Sequence, residues 1–283
     1  MAAEIKALED NGTWVITDLP PCKRAVGCKG RTKSVAFSNP STASKQASRN
    51  LFAKFSSALL VHGFQQSRAD YSLFTRHCGT SYTAALVYVD DILLAGNDIA
   101  TINAIKAYLH SQFHLKDLGV LKYFLGLEVA RSPFGIFLSQ RKYTLDILHD
   151  CGLTNAKPIA FPIEQNSRFD DTQGELLVDA TRYRRLLGRL QYLTVTRLDI
   201  LYVVNTLSQF SSKPTNVHWD AALHILRYIK ATPGHGIFFR STSSLQLHIY
   251  CDSDWTSCPT TRRSVTGYYC LLGDSPISWK SKR

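Results

Sequence analysis

The stretch LVYVDDILLAG at residues 86–96 places two adjacent carboxylates inside an otherwise apolar run. Burying an unpaired carboxylate is costly, so Asp90 and Asp91 do not belong in the middle of a core strand. In a straight strand the two side chains would point to opposite faces, whereas a tight turn lets both project from its tip. The stretch therefore predicts two apolar strands that pair through an Asp-Asp turn.

Two carboxylates at a hairpin tip need a positively charged partner. Carboxylate oxygens are ligands that Mg²⁺ prefers, and two-metal phosphoryl transfer depends on such ligands. An Asp-Asp pair is also common in solvated surface turns. From these residues alone, a magnesium site and a plain surface turn are both open interpretations.

The composition describes a globular chain with a strong positive charge. Its 283 residues suffice for one large domain or several small ones, and hydrophobic residues make up 45% of them. The formal net charge of +11 favours a polyanionic partner, either nucleic acid or an anionic membrane surface. No apolar run approaches the roughly 20 residues of a spanning helix, so we expect no membrane insertion. Neither a signal peptide nor a transit peptide is readable, and the localisation stays unassigned.

The cysteines and a histidine pair do not form a metal motif. The seven cysteines are odd in number and no two have CxxC spacing, which favours reduced structural thiols. His110 and His114 are spaced i, i+4, but no HExxH glutamate accompanies them. We therefore expect both histidines to be exposed helix residues.

Strands and helices alternate along most of the chain. An amphipathic helix is predicted from Leu51 and ends before Gly63, whereas residues 30–50, rich in Ser, Thr, Asn and Lys, predict a linker. Asn97 and Asp98 can cap a later helix. A hairpin is expected about Pro133 to Gly135, and residues 244–283 return to three strands. The predicted helices cover residues 51–60, 99–113, 139 to about 152, 183–194, 200–210 and 219–231, and this order suggests an α+β fold.

Three arginines lie on one side of the predicted helix 183–194, the first of them directly before it. Arg182, Arg185 and Arg189 lie at i, i+3 and i+7, beside a leucine stripe. One side of the helix can then pack while the other presents guanidinium groups. Three arginines by themselves fit a nucleic-acid-binding face and a solvated basic face equally well.

The motifs together resemble a known family. Tyr88-Val89-Asp90-Asp91 is similar to the YxDD box of reverse transcriptases. The wider sequence resembles the Pol polyprotein of copia-type LTR retrotransposons over most of the chain and in the family's order. The segments that carry the resemblance are ADYSLFT, LVYVDDILLAGND, LKDLGVLKYFLGLEVARS, GIFLSQRKYTLDIL, YRRLLGRLQYLTVTRLDI, HWDAALHILRYIKATPGHG and CDSDWTSCPTTRRSVTGYYCLLGDSPISWKSKR.

The resemblance implies a fold and a domain order. We expect a partial reverse-transcriptase palm, in which helices cover an antiparallel sheet, then thumb- and connection-like helices, then the first strands of an RNase H-like domain. LKYFLGLEVARS with GIFLSQ resembles the hairpin that grips the primer end. The expected segments are an N-terminal remnant at 1–29, a junction at 30–46, the palm at 47–160, the helical part at 161–243 and the RNase H-like start at 244–283.

The resemblance also implies site residues, a cofactor and partners. Asp90, Asp91 and Asp252 become the expected catalytic residues and Mg²⁺ ligands, with Asp254 as a less favoured candidate beside Asp252. Arg182, Arg185 and Arg189 are expected to hold nucleic acid. The family's partners are an RNA template and an RNA/DNA hybrid.

The chain departs from the family at the segment that should carry the first catalytic aspartate. Residues 30–45 stand there and contain no Asp or Glu. Glu128 is the one nearby acid that the pattern offers instead, and the RNase H part ends before its remaining carboxylates. We therefore expect a retrotransposon-derived RNA-directed DNA polymerase fragment that is catalytically incomplete. A non-catalytic basic nucleic-acid-binding remnant and a host-recruited interaction protein are the alternatives.

Overall fold

The computed structural model describes most of the chain after residue 39. The described residues are 40–89, 91–113, 115–164, 167, 169–170, 173–254 and 264–282, with the backbone alone for 40–48. Within these ranges, none of the helices has the length and apolar character of a membrane span.

Helices and antiparallel strands alternate in the described ranges. The helices are α1 (Pro40–Val61), α2 (Ile99–Phe113), α3 (Arg141–Asp150), α4 (Ala180–Leu193), α5 (Leu201–Ser208) and α6 (Asn216–Ala231), with a 3-10 turn at Leu198–Ile200. The strands are β1 (Gln65–Gln66), β2 (Leu73–Cys78), β3 (Ser81–Tyr88), β4 (Asp91–Gly96), β5 (Tyr123–Phe124), β6 (Leu127–Ser132), β7 (Gly135–Ser139), β8 (Gly236–Arg240), β9 (Leu247–Asp254), β10 (Val265–Leu272) and β11 (Ser275–Lys282). This mixed α/β architecture with antiparallel sheets confirms the expected fold class at that level.

The chain divides into two compact units, the first ending at Val120 and the second starting at Leu121. In the first unit, the sheet has the order β1-β2-β3-β4, and α1 and α2 pack on one of its faces. Burial of apolar area on that face stabilises the unit. Its buried core consists of Phe55, Leu59, Phe64, Phe74, Ala85, Val87, Ile105 and Leu109.

Helix α1 starts eleven residues before the predicted Leu51, at Pro40. The linker prediction is therefore wrong for residues 40–50. Apolar spacing begins at Leu51, where the helix contributes Phe52, Phe55 and Leu59 to the core on the sheet. Once that part is anchored, adding turns through Ala, Lys and Gln needs no new nucleation, and Pro is favoured at a first helical position.

Asp98 caps α2, as its position before the apolar spacing predicts. Its carboxylate accepts the backbone N–H groups of Ala100 at 3.0 Å and Thr101 at 3.3 Å. The hydroxyls of Thr101 and Ser81 donate to the other carboxylate oxygen. These hydrogen bonds, led by that of the Thr101 side chain, lower the pKa of Asp98 below its usual value.

The second unit contains a four-stranded sheet and a helical bundle. The sheet has the order β5-β6-β7-β8, so β8 pairs with β7 although four helices separate them in the chain. Helices α3 to α6 enclose the larger core, whose buried members include Ile147, Tyr183, Leu190, Val203, Leu207, Ile225 and Ile229. The boundary after Val120 therefore falls inside the expected palm segment 47–160. The reason is that the β6–β7 hairpin pairs with β8, and α3 packs with α4 and α6, all of which follow residue 160.

A three-stranded sheet of order β11-β10-β9 ends the described chain. Trp279 in β11 donates its indole N–H to the carbonyl oxygen of Thr194, 3.1 Å away, at the end of α4. Every residue of β9 is exposed. The expected three strands are confirmed as an antiparallel sheet, whereas their RNase H-like nature is taken up below as a proposal.

Candidate active site and nucleic-acid interface

Asp91 lies at the end of an antiparallel hairpin. Tyr88 in β3 is directly opposite Asp91 in β4, so the turn of the hairpin falls between these two residues. Asp91 is exposed and is the first residue of its strand. The predicted hairpin is therefore confirmed, with the refinement that Asp91 is paired. Asp90 itself lies outside the described residues.

The turn places a valine in the left-handed region of backbone conformation. Val89 has φ 53°. A two-residue hairpin turn of the type that matches strand twist requires positive φ, which glycine and asparagine adopt easily and a β-branched residue does not. Such strain concentrates at functional sites, where the surrounding structure enforces it. The adjoining strands β3 and β4 supply that enforcement here.

The two faces of the hairpin have different neighbours. Val87 pairs with Ile92, and both belong to the core under α1 and α2. Asp91 lies on the opposite face with Leu86 and Leu93, since side chains alternate along a strand. Of the apolar residues beside the turn, Val87 and Leu94 therefore face the helices, whereas Leu86 and Leu93 do not. The carboxylate of Asp91 shares the face that the helices leave uncovered.

Helix α4 presents the predicted basic side but uses its arginines unequally. The leucine stripe of this helix is buried as expected, and Arg182 and Arg185 are exposed. The guanidinium of Arg182 lies over the ring of Trp219 in α6, with 4.5 Å between its carbon and the ring centroid. Such cation–π stacking holds a guanidinium flat against the ring.

Arg189 has an internal partner that the sequence did not reveal. Its guanidinium donates to the Asp150 carboxylate at 2.8 Å and lies over the ring of Tyr143. That hydrogen bond, with a smaller contribution from His149, lowers the pKa of Asp150 below its usual value. Both partners belong to α3, so Arg189 ties α3 to α4. Its guanidinium thereby has an acidic partner, unlike those of Arg182 and Arg185 among the described residues.

Asp252 and Asp254 lie on one face of β9, since they are two residues apart. Both are exposed, and an oxygen of Asp252 accepts the backbone N–H of Ser253 at 2.9 Å. Together with Tyr250, they line a groove of about 410 Å³ that Leu201 and Tyr202 also line. The structure thus keeps the two acidic residues accessible but does not by itself assign them a reaction.

The structure describes four of the seven cysteines and one histidine of the pair His110 and His114. Cys78, Cys151, Cys251 and Cys270 are free thiols. His110 is exposed and donates through Nδ1 to the carbonyl oxygen of Leu115 at 2.6 Å. His114 lies outside the described residues, as do Cys22, Cys28 and Cys258.

Comparison with known proteins decides the family. A family model described as reverse transcriptase (RNA-dependent DNA polymerase) matches residues 12–165, which is more than half of the chain. The chain belongs to the reverse transcriptase family. The resemblance to the Pol polyprotein of copia-type retrotransposons is confirmed as well.

Several relatives of the chain are Pol polyproteins of transposons. The chain is 44% identical over 239 residues to the retrovirus-related Pol polyprotein from transposon RE2 of Arabidopsis thaliana, and covers 16% of it. It is 32% identical over 248 residues to the corresponding polyprotein from transposon TNT 1-94 of Nicotiana tabacum, covering 19% of that protein. Each of these alignments covers 84% of the chain. The chain therefore spans less than a fifth of the length of these polyproteins. No solved structure matches it.

A shorter relative has nearly the same extent as the chain. An uncharacterized mitochondrial protein of Arabidopsis thaliana is 42% identical over 200 residues, which cover 70% of the chain and 82% of that protein. The same stretch of reverse transcriptase sequence therefore occurs in a protein of similar length.

Reverse transcriptases generally use a divalent metal ion. Asp91 supplies one exposed carboxylate, and Asp90 is outside the described residues. Within the ranges that the structure describes, no three His, Cys, Asp or Glu side chains come together to hold an ion. Because Mg²⁺ takes octahedral oxygen coordination and is commonly held by more than one carboxylate, the described residues do not by themselves make up a complete magnesium site.

Glu128, the acid that the family pattern offers in place of the missing aspartate, has a structural contact within the second unit. It belongs to β6 of the second unit, and its carboxylate accepts the backbone N–H of Lys142 at 2.7 Å. Lys142 lies in the first turn of α3, where backbone N–H groups lack partners within the helix. Glu128 therefore stabilises the start of α3, a role that its sequence position did not indicate.

Proposed function

We propose that the chain is a reverse transcriptase fragment that binds nucleic acid but does not extend a primer by itself. The claim that the chain does not extend a primer rests on the composition of residues 30–45. They stand where the family's first catalytic aspartate is expected, and they contain no Asp or Glu. Two-metal phosphoryl transfer needs carboxylates from more than one strand to position both metal ions, and Asp90 and Asp91 come from one hairpin.

Charge and geometry support the binding half of the proposal. The net charge of +11 favours a polyanion. Arg182 and Arg185 are exposed on the side of α4 that is turned away from the bundle core. A guanidinium group suits phosphate oxygens because it can donate two parallel hydrogen bonds. The proposed ligands are an RNA template and an RNA/DNA hybrid.

The terminal strands are proposed as the start of an RNase H-like sheet. Two observations support this proposal: the antiparallel order β11-β10-β9, and the exposed Asp252 in β9. Asp252 is then the first carboxylate of a site that needs further acids.

Primer extension tests the catalytic half. The purified chain is incubated with a labelled primer on an RNA template, deoxynucleotides and Mg²⁺, beside a variant carrying Asp90→Asn and Asp91→Asn. We expect equal, background-level nucleotide incorporation from both proteins, because the third carboxylate is missing. Incorporation by the unchanged chain above that of the double variant would overturn catalytic incompleteness and require another acid in the site.

A further inference from the structure

We infer that Arg182 and Arg185 form a phosphate-binding site in which Trp219 is the positioning residue. This inference rests on the proposed nucleic-acid binding and assigns its contacts on α4. The ligand class is a phosphodiester backbone. Four features carry it: the occupied helix start, the internal partners of the other arginines, the stack of Arg182 on Trp219, and the exposure of Arg185.

The start of α4 is already occupied by a carboxylate. Asp179 accepts the backbone N–H groups of Thr181 at 2.8 Å and Arg182 at 3.2 Å. These groups would otherwise be free to bind an anion. A phosphate that approaches α4 is therefore bound by side chains instead of backbone N–H groups.

Two neighbouring arginines have their guanidinium groups engaged within the protein. Arg184 donates to the carbonyl oxygen of Ser211 at 3.4 Å and to the hydroxyl of Thr181 at 3.1 Å. Arg189 is paired with Asp150. The guanidinium groups of Arg182 and Arg185, by contrast, make no hydrogen bond or ion pair with any part of the chain that the structure describes. They are one turn apart, so both can reach neighbouring phosphates.

Trp219 fixes the direction of the Arg182 fork. The half-buried indole packs against the bundle core, and the guanidinium lies over it at 4.5 Å. Stacking uses the flat face of the guanidinium and leaves its N–H groups along the edge free to donate. A long side chain that is already held in place loses less rotamer entropy when it binds. Trp219 thus acts by positioning Arg182 and does not itself contact the phosphate.

The test measures binding of a fluorescent RNA/DNA hybrid by anisotropy over a range of salt concentrations. The slope of log binding constant against log salt concentration is negative. The double variant Arg182→Ala, Arg185→Ala is expected to reduce its magnitude by about two, at roughly 0.9 per phosphate contact. Arg184→Ala is the matched control on the same helix and is expected to leave the slope unchanged. An unchanged slope in the double variant would refute both nucleic-acid binding by α4 and the phosphate-binding site of Arg182 and Arg185.

Two substitutions of Trp219 separate positioning from packing. Trp219→Phe keeps an aromatic face and is expected to bind nearly as tightly as the unchanged chain. Trp219→Leu fills the core without such a face and is expected to reduce the magnitude of the slope by about one. Circular dichroism and thermal melting confirm folding of each variant. Trp219→Phe also keeps the test valid if the leucine variant fails to fold, because loss of binding in the folded phenylalanine variant would argue against stacking.

A double-mutant comparison supplies the readout that a merely structural residue would not give. In an Arg182→Ala background, Trp219→Leu is expected to have no further effect on affinity, because Trp219 acts through Arg182. An equal loss in both backgrounds would overturn the positioning role of Trp219 while leaving nucleic-acid binding by the chain intact. No loss from Trp219→Leu in the unchanged chain would also overturn it.

Discussion

Val89 bears the strain of the turn next to the aspartate pair. Its φ of 53° costs a β-branched residue on the order of 1–3 kcal/mol, whereas glycine adopts this conformation without a steric penalty. Val89→Gly is therefore expected to raise the free energy of unfolding by about 1 kcal/mol, after the higher backbone entropy of glycine in the unfolded chain is subtracted. Chemical denaturation followed by circular dichroism measures the change.

Val61→Gly is the matched control for that substitution. Val61 is an exposed valine in α1, whose helical backbone needs no positive φ. Glycine is unfavourable in helices, so this variant should gain no stability. If both variants lose stability, then the Val89 turn is not strained and the strands alone determine its shape.

At the scale of elements, the β3–β4 hairpin is specified by which face each residue occupies. Val87 is 2% exposed in the core, whereas its neighbour Leu86 is half-buried on the uncovered face. Val87→Lys would bury an unpaired charge, and we expect it to prevent folding of the first unit. Leu86→Lys should be tolerated with a small loss of melting temperature. Similar effects of the two substitutions on thermal melting would contradict the assigned strand register.

At the scale of the whole molecule, the two units have separate cores, and the second contains a buried charge. Arg197 is 1% exposed and donates to the Asp199 carboxylate at 2.7 Å and to the carbonyl oxygen of Thr232 at 2.9 Å. Burial raises the pKa of Asp199, but the hydrogen bonds and charge of Arg197 outweigh it and leave the pKa below its usual 3.8. Loss of one partner of such a pair costs about 3–5 kcal/mol.

Acid should therefore destabilise the second unit through Asp199. Because its pKa is lowered on folding, the pair contributes its full stability above the usual pKa of 3.8 and loses it as the pH falls through the lower folded value. Asp199→Asn is expected to destabilise the unit at neutral pH and to flatten this acid dependence. Hydrogen exchange of peptides from α4 and α6, followed as a function of pH, measures the stability of the unit. Asp220→Asn, at an exposed aspartate, is the control. An acid dependence identical in Asp199→Asn and the unchanged chain would exclude Asp199 as its source.

The local patterns of the sequence were sufficient for the hairpin at residues 86–96, the cap at Asp98 and the leucine stripe of α4. Each of these depends on neighbours within a few residues, through strand alternation, helix-end hydrogen bonding or helical periodicity. The family also followed from the sequence, because Tyr88-Val89-Asp90-Asp91 and the other matching segments occur in the family's order.

Only the tertiary structure decided which partners the charged and aromatic side chains have. The pairing of Arg189 with Asp150, the stack of Arg182 on Trp219 and the contact of Glu128 with the start of α3 join residues far apart in the chain. Such contacts have no local signature, since they depend on how whole elements pack. The length of α1 was missed for a related reason: residues 40–50 need no apolar face of their own once the rest of the helix is anchored on the sheet.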